Sequence, residues 1–484
     1  MFIQLLVLMF LIYFVYINTN LNFKQKRPPF PITFPIIGNL YTLLKNQPHY
    51  VLFKYYKSYG EIFQLKYGII NTVVLSEYDI LKEAFIDNSD VFIERFNKIS
   101  KKFKSSENIV NSNGSIWKKL QLISIKELSP NIKIKKYEPM ILDEANKLIE
   151  NLNEQAKTTE SFDPTLNIKI CYLNIILSFL FNFRYYDYKN EKVIKIVEYI
   201  HTIFRMGSHP IPYDYIPILY SLHKNKQSNH QKIFEELYQY VGEEVQKRLE
   251  IINKNNNTIN KNNNYHDCFV DILLLKFKTN ELTWNEVIKT TTDIMIAGSD
   301  TNSLYTIHLI IALTNREIIQ DKVYKEILNF IENNNQITFS NKKYTPYYNS
   351  VLKEVERRYT VSPLSQPHRT NKDIWLKGYF IPSGSQIIQN VYSCHLNEKD
   401  WENPFEFIPE RFLNNSFLEK RLITFGIGPR NCLGFQFALM TLWIVNFKLF
   451  ESIKFSSNNF IQEEFREGGT TLSPFQFKLN SIKR

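Results

Sequence analysis

The stretch Phe425-Gly426-Ile427-Gly428-Pro429-Arg430-Asn431-Cys432-Leu433-Gly434 sets one cysteine among three glycines, and the apolar run Phe435 to Phe450 follows directly. Glycine has no Cβ, so a loop of this composition lets backbone approach a flat cofactor closely. A cysteine at the start of a helix meets the positive end of the helix dipole and free backbone N–H groups, and both stabilise a thiolate. A lone cysteine in a Gly-rich turn is more often a buried structural residue. What sets this one apart is the company of Phe425, Gly428, Arg430 and Gly434 in one short loop.

Working outward, Val287 to Thr314 reads as a long apolar helix interrupted by Ala297-Gly298-Ser299-Asp300-Thr301. Gly, Ser, Asp and Thr are poor helix formers, so this insert predicts a local opening of the helix. Apolar residues on both sides argue against a solvent-facing polar patch. Glu354-Val355-Glu356-Arg357 places Glu354 and Arg357 on one helix face, where they can pair. Alone that is a weak signal, but Pro409-Glu410-Arg411-Phe412 lies close before the cysteine loop. Phe234 to Ile252 has amphipathic helical spacing, Ile62 to Leu75 reads as a hairpin around Tyr67-Gly68, and Gly378 to Gly384 as a strand and turn.

These elements together resemble the cytochrome P-450 family: FxxGxRxCxG around Cys432, AGxDT at Ala297 to Thr301, ExxR at Glu354 to Arg357, and PERF at Pro409 to Phe412. The resemblance runs from the N-terminal segment to Thr470-Thr471-Leu472. It implies a mostly α fold with small β-sheets, forming a single large catalytic domain behind an N-terminal transmembrane anchor. It implies a haem b cofactor whose iron takes Cys432 as axial thiolate, with Phe425, Gly428 and Gly434 shaping the loop. Arg430 and Arg369 (from Pro367-His368-Arg369) would pair with the haem propionates, and Trp117 would donate to one of them. Ala297 and Gly298 would leave room above the haem, Thr301 would hydrogen-bond bound dioxygen, and Asp300 would feed protons. Glu354, Arg357 and Arg411 would form a buried ion cluster on the cysteine side. His368 is expected to be a packed or surface histidine, since no ligand partner lies at metal spacing. One departure is Gln121, standing where the family pattern Trp-x-x-x-Arg has arginine. A neutral hydrogen bond there would hold the haem less firmly.

The implied activity is a monooxygenase inserting one oxygen atom of O2 into a lipophilic small molecule. Its electrons would come from a separate NADPH-dependent reductase, with a cytochrome b-type donor as an alternative source, since the chain shows no GxGxxG fingerprint of its own. Basic residues Lys118, Lys119, Lys420 and Arg421 are candidates to face that partner. Pocket segments are expected at Phe103 to Ile116, Phe204 to Tyr215, Ile294 to Thr301, Val361 to Gln366 and Thr470 to Phe475. Two other readings stand beside this one: a reductase-independent haem-thiolate isomerase or dehydratase, and a non-catalytic membrane-tethered haem protein. The presence of both Asp300 and Thr301 argues against each.

Composition is consistent with this reading. The 484 residues are 44% hydrophobic and 22% charged, enough for a large core, and the net charge is +11. The Lys residues are dispersed, so nucleic acid is not an expected partner. The four cysteines are far apart and form no CxxC, which argues against a disulfide scaffold or a zinc ribbon. Residues 1–18 are almost wholly apolar without a basic start or an A-x-A site, and Lys24, Lys26 and Arg27 follow. That pattern predicts an uncleaved single-pass anchor in membrane lipid, with the body on the cytosolic face of the endoplasmic reticulum. Residues 19–39 would be a basic, Pro-rich linker and 40–484 the catalytic domain, with an Asn-rich surface loop at 253–264.

Overall fold

The computed structural model describes residues 8, 11–12, 14–15, 25–42, 47–96, 107–128, 135–207, 214–216, 218–219, 229–258, 268–468 and 470–484. The longer helices are α1 (Pro48–Tyr59), α2 (Gly114–Leu128), α3 (Glu138–Thr158), α4 (Thr165–Phe181), α5 (Glu191–Gly207), α6 (Asn229–Thr258), α7 (Phe269–Lys278), α8 (Trp284–Thr314), α9 (Glu317–Glu332), α10 (Pro346–Tyr359) and α11 (Phe435–Ser452). The strands are short: β1 (Ile62–Tyr67), β2 (Ile70–Leu75), β3 (Glu94–Arg95), β4 (His368–Arg369), β5 (Ile374–Leu376), β6 (Tyr379–Ile381), β7 (Gln386–Gln389), β8 (Ile453–Ser456), β9 (Phe465–Gly468), β10 (Leu472–Pro474) and β11 (Asn480–Lys483). This is the mostly helical architecture with small sheets that the resemblance implies.

α4 and α8 are apolar on nearly every side, and a helix of that kind must be buried. They pack against each other at the centre of the molecule. A Cβ on Gly298 would lie 2.5 Å from Ile176 Cδ1, so the missing side chain lets the two helices close. Tyr172 Oη of α4 and Asn446 Nδ2 of α11 both meet Thr306 Oγ1 of α8, at 2.6 and 3.0 Å. Three core helices are thereby joined through one hydroxyl. α8 begins with a capping box between Thr283 and Glu286, which satisfies backbone donors at its N-terminus.

The largest sheet has the order β1-β2-β7-β4-β3. The hairpin read at Ile62 to Leu75 forms in register, Ile62 opposite Leu75. β4 is antiparallel to both neighbours, so His368 stands opposite Arg95 on β3 and Ile387 on β7. Successive strand residues point to opposite faces. His368 is therefore buried while Arg369 is exposed.

Two expectations change. The helix α8 is continuous through Ala297 to Thr301 and does not open. Thr301 Oγ1 and Asn302 Nδ2 donate to the carbonyls one turn back, at 2.7 and 3.0 Å, so the polar residues bond to the helix itself. The Asn-rich stretch is not all loop: α6 runs to Thr258, and residues 259–264 lie outside the described ones. A helix already nucleated by an amphipathic segment can extend through asparagine, because propagation is far easier than nucleation. The Pro-rich segment lies on the body, with Phe380 N donating to Lys26 O at 2.7 Å and Gln64 N to Pro29 O at 2.8 Å. Most of the expected anchor lies outside the described residues, of which Leu8, Leu11, Ile12 and Val15 are helical and exposed. Among the described residues, no helix is long and apolar enough to cross a membrane.

Candidate active site

Between Thr290 and Leu313, α8 is buried except at Ile294, Ala297, Gly298 and Thr301. Their spacing is i, i+3, i+4 and i+7, which is one helix face. An otherwise enclosed helix thus presents a single accessible stripe, with Ala297 its most exposed residue.

The cysteine loop is the second wall. Gly426 and Gly428 have φ +76° and +84°, and a Cβ on Gly428 would lie 2.3 Å from Phe85 O. The loop closes on itself where Cys432 N donates to Phe425 O at 2.7 Å. The helix proper starts at Phe435 with Gly434 as its N-cap. Cys432 is exposed by surface area. Surrounding protein nevertheless raises its thiol pKa by desolvation, with the Gly434 N–H working the other way. An exposed residue whose thiol is nevertheless desolvated marks a recess at this loop. Cys171, Cys268 and Cys394 are buried.

Guanidinium groups gather beside this loop. Arg430 stacks on Trp117, 4.0 Å from the ring centroid, and donates to Ile93 O at 3.1 Å and to Ser112 O at 2.5 Å. Arg95 donates to Arg430 O at 3.2 Å and Gln366 O at 3.0 Å, and bonds His368 Nε2. His368 Nδ1 lies 2.6 Å from Phe92 O, so it is the donor there and Nε2 accepts from Arg95. Burial and the Arg95 charge hold the His368 ring neutral. Burial and mutual repulsion lower Arg430 to about 9, and burial lowers Arg95 to about 10. Arg95 Nε is buried without a hydrogen-bond partner.

This corrects the reading of Pro367-His368-Arg369. Arg369 is an exposed residue paired with Glu94 at 3.1 Å, because strand alternation turns it outward. Arg95 and His368 occupy the place expected of it. Arg95 was missed by sequence reasoning because nothing in its local sequence marks it; only pairing of β3 with β4 brings it there. Gln121 also departs from expectation, since its Nε2 donates to Pro429 O at 3.0 Å and so braces the cysteine loop.

Under the loop, Glu354 and Arg357 form a two-pronged pair at 2.7 and 2.8 Å, both fully buried. Arg357 also donates to the carbonyls of His395, Pro404 and Glu406, while Arg411 Nε and Ile408 N reach Glu354 Oε1. His395 Nε2 accepts from Ile423 N at 3.0 Å, which carries the cluster to the start of the cysteine loop. The Glu354–Arg357 core of this buried cluster has its hydrogen bonds made, while Arg411 Nη2 is buried without a partner, and such a cluster fixes one arrangement whatever its net stability.

On the far side of α8, Asp300 is buried, 3.4 Å from Lys169 Nζ, and accepts from Thr471 Oγ1 at 3.2 Å. Lys169 Nζ in turn lies 3.0 Å from His201 Nδ1. Asp300 is thus an ion-paired carboxylate, not a lone acid beside Thr301. Gly298 lies on the accessible stripe, and its missing Cβ also lets Ile176 approach α8, while Ala297 is the most exposed residue of the stripe. Parts of the pocket segments do converge: Thr470 N bonds Phe204 O at 3.1 Å, and Leu472 N bonds Val361 O at 2.9 Å. Residues 103–106 and 208–213 of the expected lining lie outside the described ones.

The donor set fits a haem. Among the described residues no three His, Cys, Asp or Glu side chains gather as a bare metal ion requires. Cys432 could therefore ligate a metal that brings its other ligands with it. Two buried guanidiniums with an unpartnered N–H suit anionic propionates, and the accessible stripe of α8 offers an apolar face for a flat ring.

The family profile for cytochrome P450 matches residues 28–479. The chain is 77% identical over 461 residues to probable cytochrome P450 555A1 of Dictyostelium discoideum, covering 95% of each chain. It is 35% identical over 479 residues to probable cytochrome P450 513A1 of the same organism, covering 94% of this chain and 93% of the relative. To probable cytochrome P450 513F1, also of that organism, it is 32% identical over 507 residues, covering both chains in full.

Proposed function

The chain belongs to the cytochrome P450 family, and from that premise we propose that it oxygenates a lipophilic small molecule at the recess between α8 and the cysteine loop, with Cys432 as the haem ligand. Family membership makes the protein a haem-thiolate monooxygenase. The observation that carries the assignment of the site is the accessible but desolvated Cys432, set in the same loop as the Arg430 that bonds to Arg95.

Bound haem supplies the dioxygen-activating chemistry, favoured by electron donation from a thiolate. The chain's own residues supply the rest. The Gly434 N–H steadies negative charge on the Cys432 sulfur. Arg95, Arg430 and neutral His368 present donors at the propionate edge, and Trp117 supports Arg430 from its ring face. Ile294 and Ala297 keep one wall of the recess apolar and exclude water. Thr301 Oγ1 holds a proton now given to Ala297 O; turned toward the recess, the same hydroxyl can donate there. Asp300 can relay protons only when its pairing with Lys169 loosens, and Lys169 leads through His201 toward solvent.

Electrons come from a separate NADPH-dependent reductase, or from a cytochrome b-type donor. Of the four basic candidates for its docking face, Lys118 and Lys420 are exposed. Lys119 is paired with Glu286 at 2.7 Å, and Arg421 with Asp400 at 2.8 Å, so those two are committed within the chain. Attachment to the endoplasmic reticulum membrane is supported by exposed Ile32, Phe34, Ile36, Ile37 and Ile69. Backbone bonds from Gly68 N to Ile37 O and from Ile69 N to Tyr215 O hold this apolar patch, and the Phe14 ring lies 6.1 Å from that of Phe34.

The test is a carbon monoxide difference spectrum of the reduced protein. A strongly red-shifted Soret band that disappears in Cys432→Ala is expected. A haem band of the same position in Cys432→Ala would refute the assignment.

A further inference from the structure

Residues Glu107 to Asn113 form a strap that is fastened at both ends. At one end, Val110 N donates to Asp293 Oδ2 at 3.0 Å and Asn108 Nδ2 to Asp293 Oδ1 at 3.2 Å. One helical turn earlier, Lys289 Nζ reaches Glu107 Oε2 at 2.7 Å. At the other end, Ser112 O and Asn113 Oδ1 accept from Arg430 Nη2 at 2.5 and 3.0 Å, and Asn113 Oδ1 also accepts from Arg95 N at 2.7 Å. The strap is stiffened within by Asn108, whose Oδ1 accepts from Asn111 N at 3.1 Å. It therefore runs from α8, one turn before the accessible Ala297, to the guanidiniums beside the cysteine loop. The strap thus spans the interval between the accessible stripe of α8 and the cysteine loop.

We propose that Asp293 is a positioning residue that latches the strap Glu107–Asn113 across the recess, so that the protonation of this one carboxyl sets how readily the strap opens to admit a ligand. The proposal rests on the haem-thiolate reading only for what the recess contains.

Among the described residues, the charged and titratable groups facing Asp293 are Lys289 and Tyr238. Lys289 on its own helix is occupied by Glu107 of the strap. Tyr238 of α6 faces it, and the Asp293 charge helps to raise that phenol's pKa. Burial pushes Asp293 up to about 7, against the opposing pull of Val110, Asn108, Ile109 and Lys289. The closed strap therefore favours the protonated acid, whereas an opened strap returns the carboxyl to water and to the ordinary carboxylate range. Between that range and about pH 7 the open form binds fewer protons. Opening accordingly becomes easier as pH rises through this window, by up to about tenfold per pH unit, and levels off above it.

The experiment is hydrogen exchange of the haem-loaded protein from pH 5 to 9, followed for peptides covering residues 107–113. Protection is taken relative to the intrinsic exchange rate at each pH. The wild-type protection should fall as pH rises toward about 7 and then stay level. Asp293→Asn keeps an acceptor for Val110 N, gives up the one for Asn108 Nδ2 and cannot ionise, so its protection should be flat across this pH range. A wild-type profile without pH dependence, or the same fall in Asp293→Asn, overturns the proposal. Should Asp293→Asn fail to load haem, Asn108→Ala decides. It removes a donor that favours the ionised form, so the levelling point should move to higher pH; an unmoved levelling point refutes the latch. The carbon monoxide spectrum reads the haem-thiolate assignment separately, so failure of one is distinguishable from failure of the other.

Discussion

Glu356→Gln should stabilise the protein, and by an amount that grows with pH. Glu356 is a buried side chain of α10, two residues after Glu354. Glu354 is neutralised by Arg357 and Arg411. Glu356 has no such partner: Lys353, Lys342 and the Thr424 hydroxyl pull its pKa down, but burial outweighs them and pushes it up to about 8 from 4.5. Between those values the folded chain holds a proton that the unfolded chain has released, so folding stability falls as pH rises across the window. The loss is complete above about pH 8 and amounts to about 5 kcal/mol at most. Glutamine fills nearly the same volume and carries no charge. For a chain of this length the unfolding entropy converts 1 kcal/mol into about 1 °C, so the variant should melt up to about 5 °C above wild type at pH 9 and close to wild type at pH 5. Thermal melts of the haem-loaded protein, followed at the Soret band across this range, measure the difference. A difference in Tm that does not change with pH, or a wild type that gains on the variant as pH rises, would show that Glu356 is not held protonated in the fold.

Arg95→Ala should speed haem loss to apomyoglobin by about tenfold or more, the worth of one charged hydrogen bond, whereas Arg369→Ala should change it little; equal effects would restore Arg369 to the propionate edge. Gly428→Ala places a Cβ 2.3 Å from Phe85 O at φ +84°, costing about 2–4 kcal/mol through strain and displacement, and should lower the haem content of purified protein; full occupancy would mean the loop is softer than its contacts imply. With residues 1–24 removed, Phe34→Glu combined with Ile69→Glu should reduce co-flotation with phospholipid vesicles severalfold, since both side chains are exposed in the apolar patch. Unchanged flotation would place the membrane contact elsewhere.

Much of this protein was legible along the chain because its signals are local. The cysteine loop, the long helix with its Ala297 to Thr301 insert, and the hairpin at Ile62 to Leu75 each declare themselves within a few residues. Side-chain periodicity and glycine geometry act at that range. The Glu354–Arg357 pair is also local, although its burial and its third member, Arg411, are not. Which arginine joins Arg430 beside the cysteine loop was not legible. Arg95 reaches it from 335 residues before Arg430, through a two-residue strand whose pairing no local pattern predicts. Gly298 could be read as space in the recess, but that its missing Cβ also admits Ile176 of another helix could not. Asp300 could be read as a proton donor, yet Lys169 and Thr471 hold it from two distant segments. The sequence by itself determined the chemistry, because ligand, motif and helix are written in neighbouring residues. Only the tertiary structure decided which charges are neutralised, which glycines are contacts and where the strap is latched, because those depend on desolvation and on partners far apart in the chain.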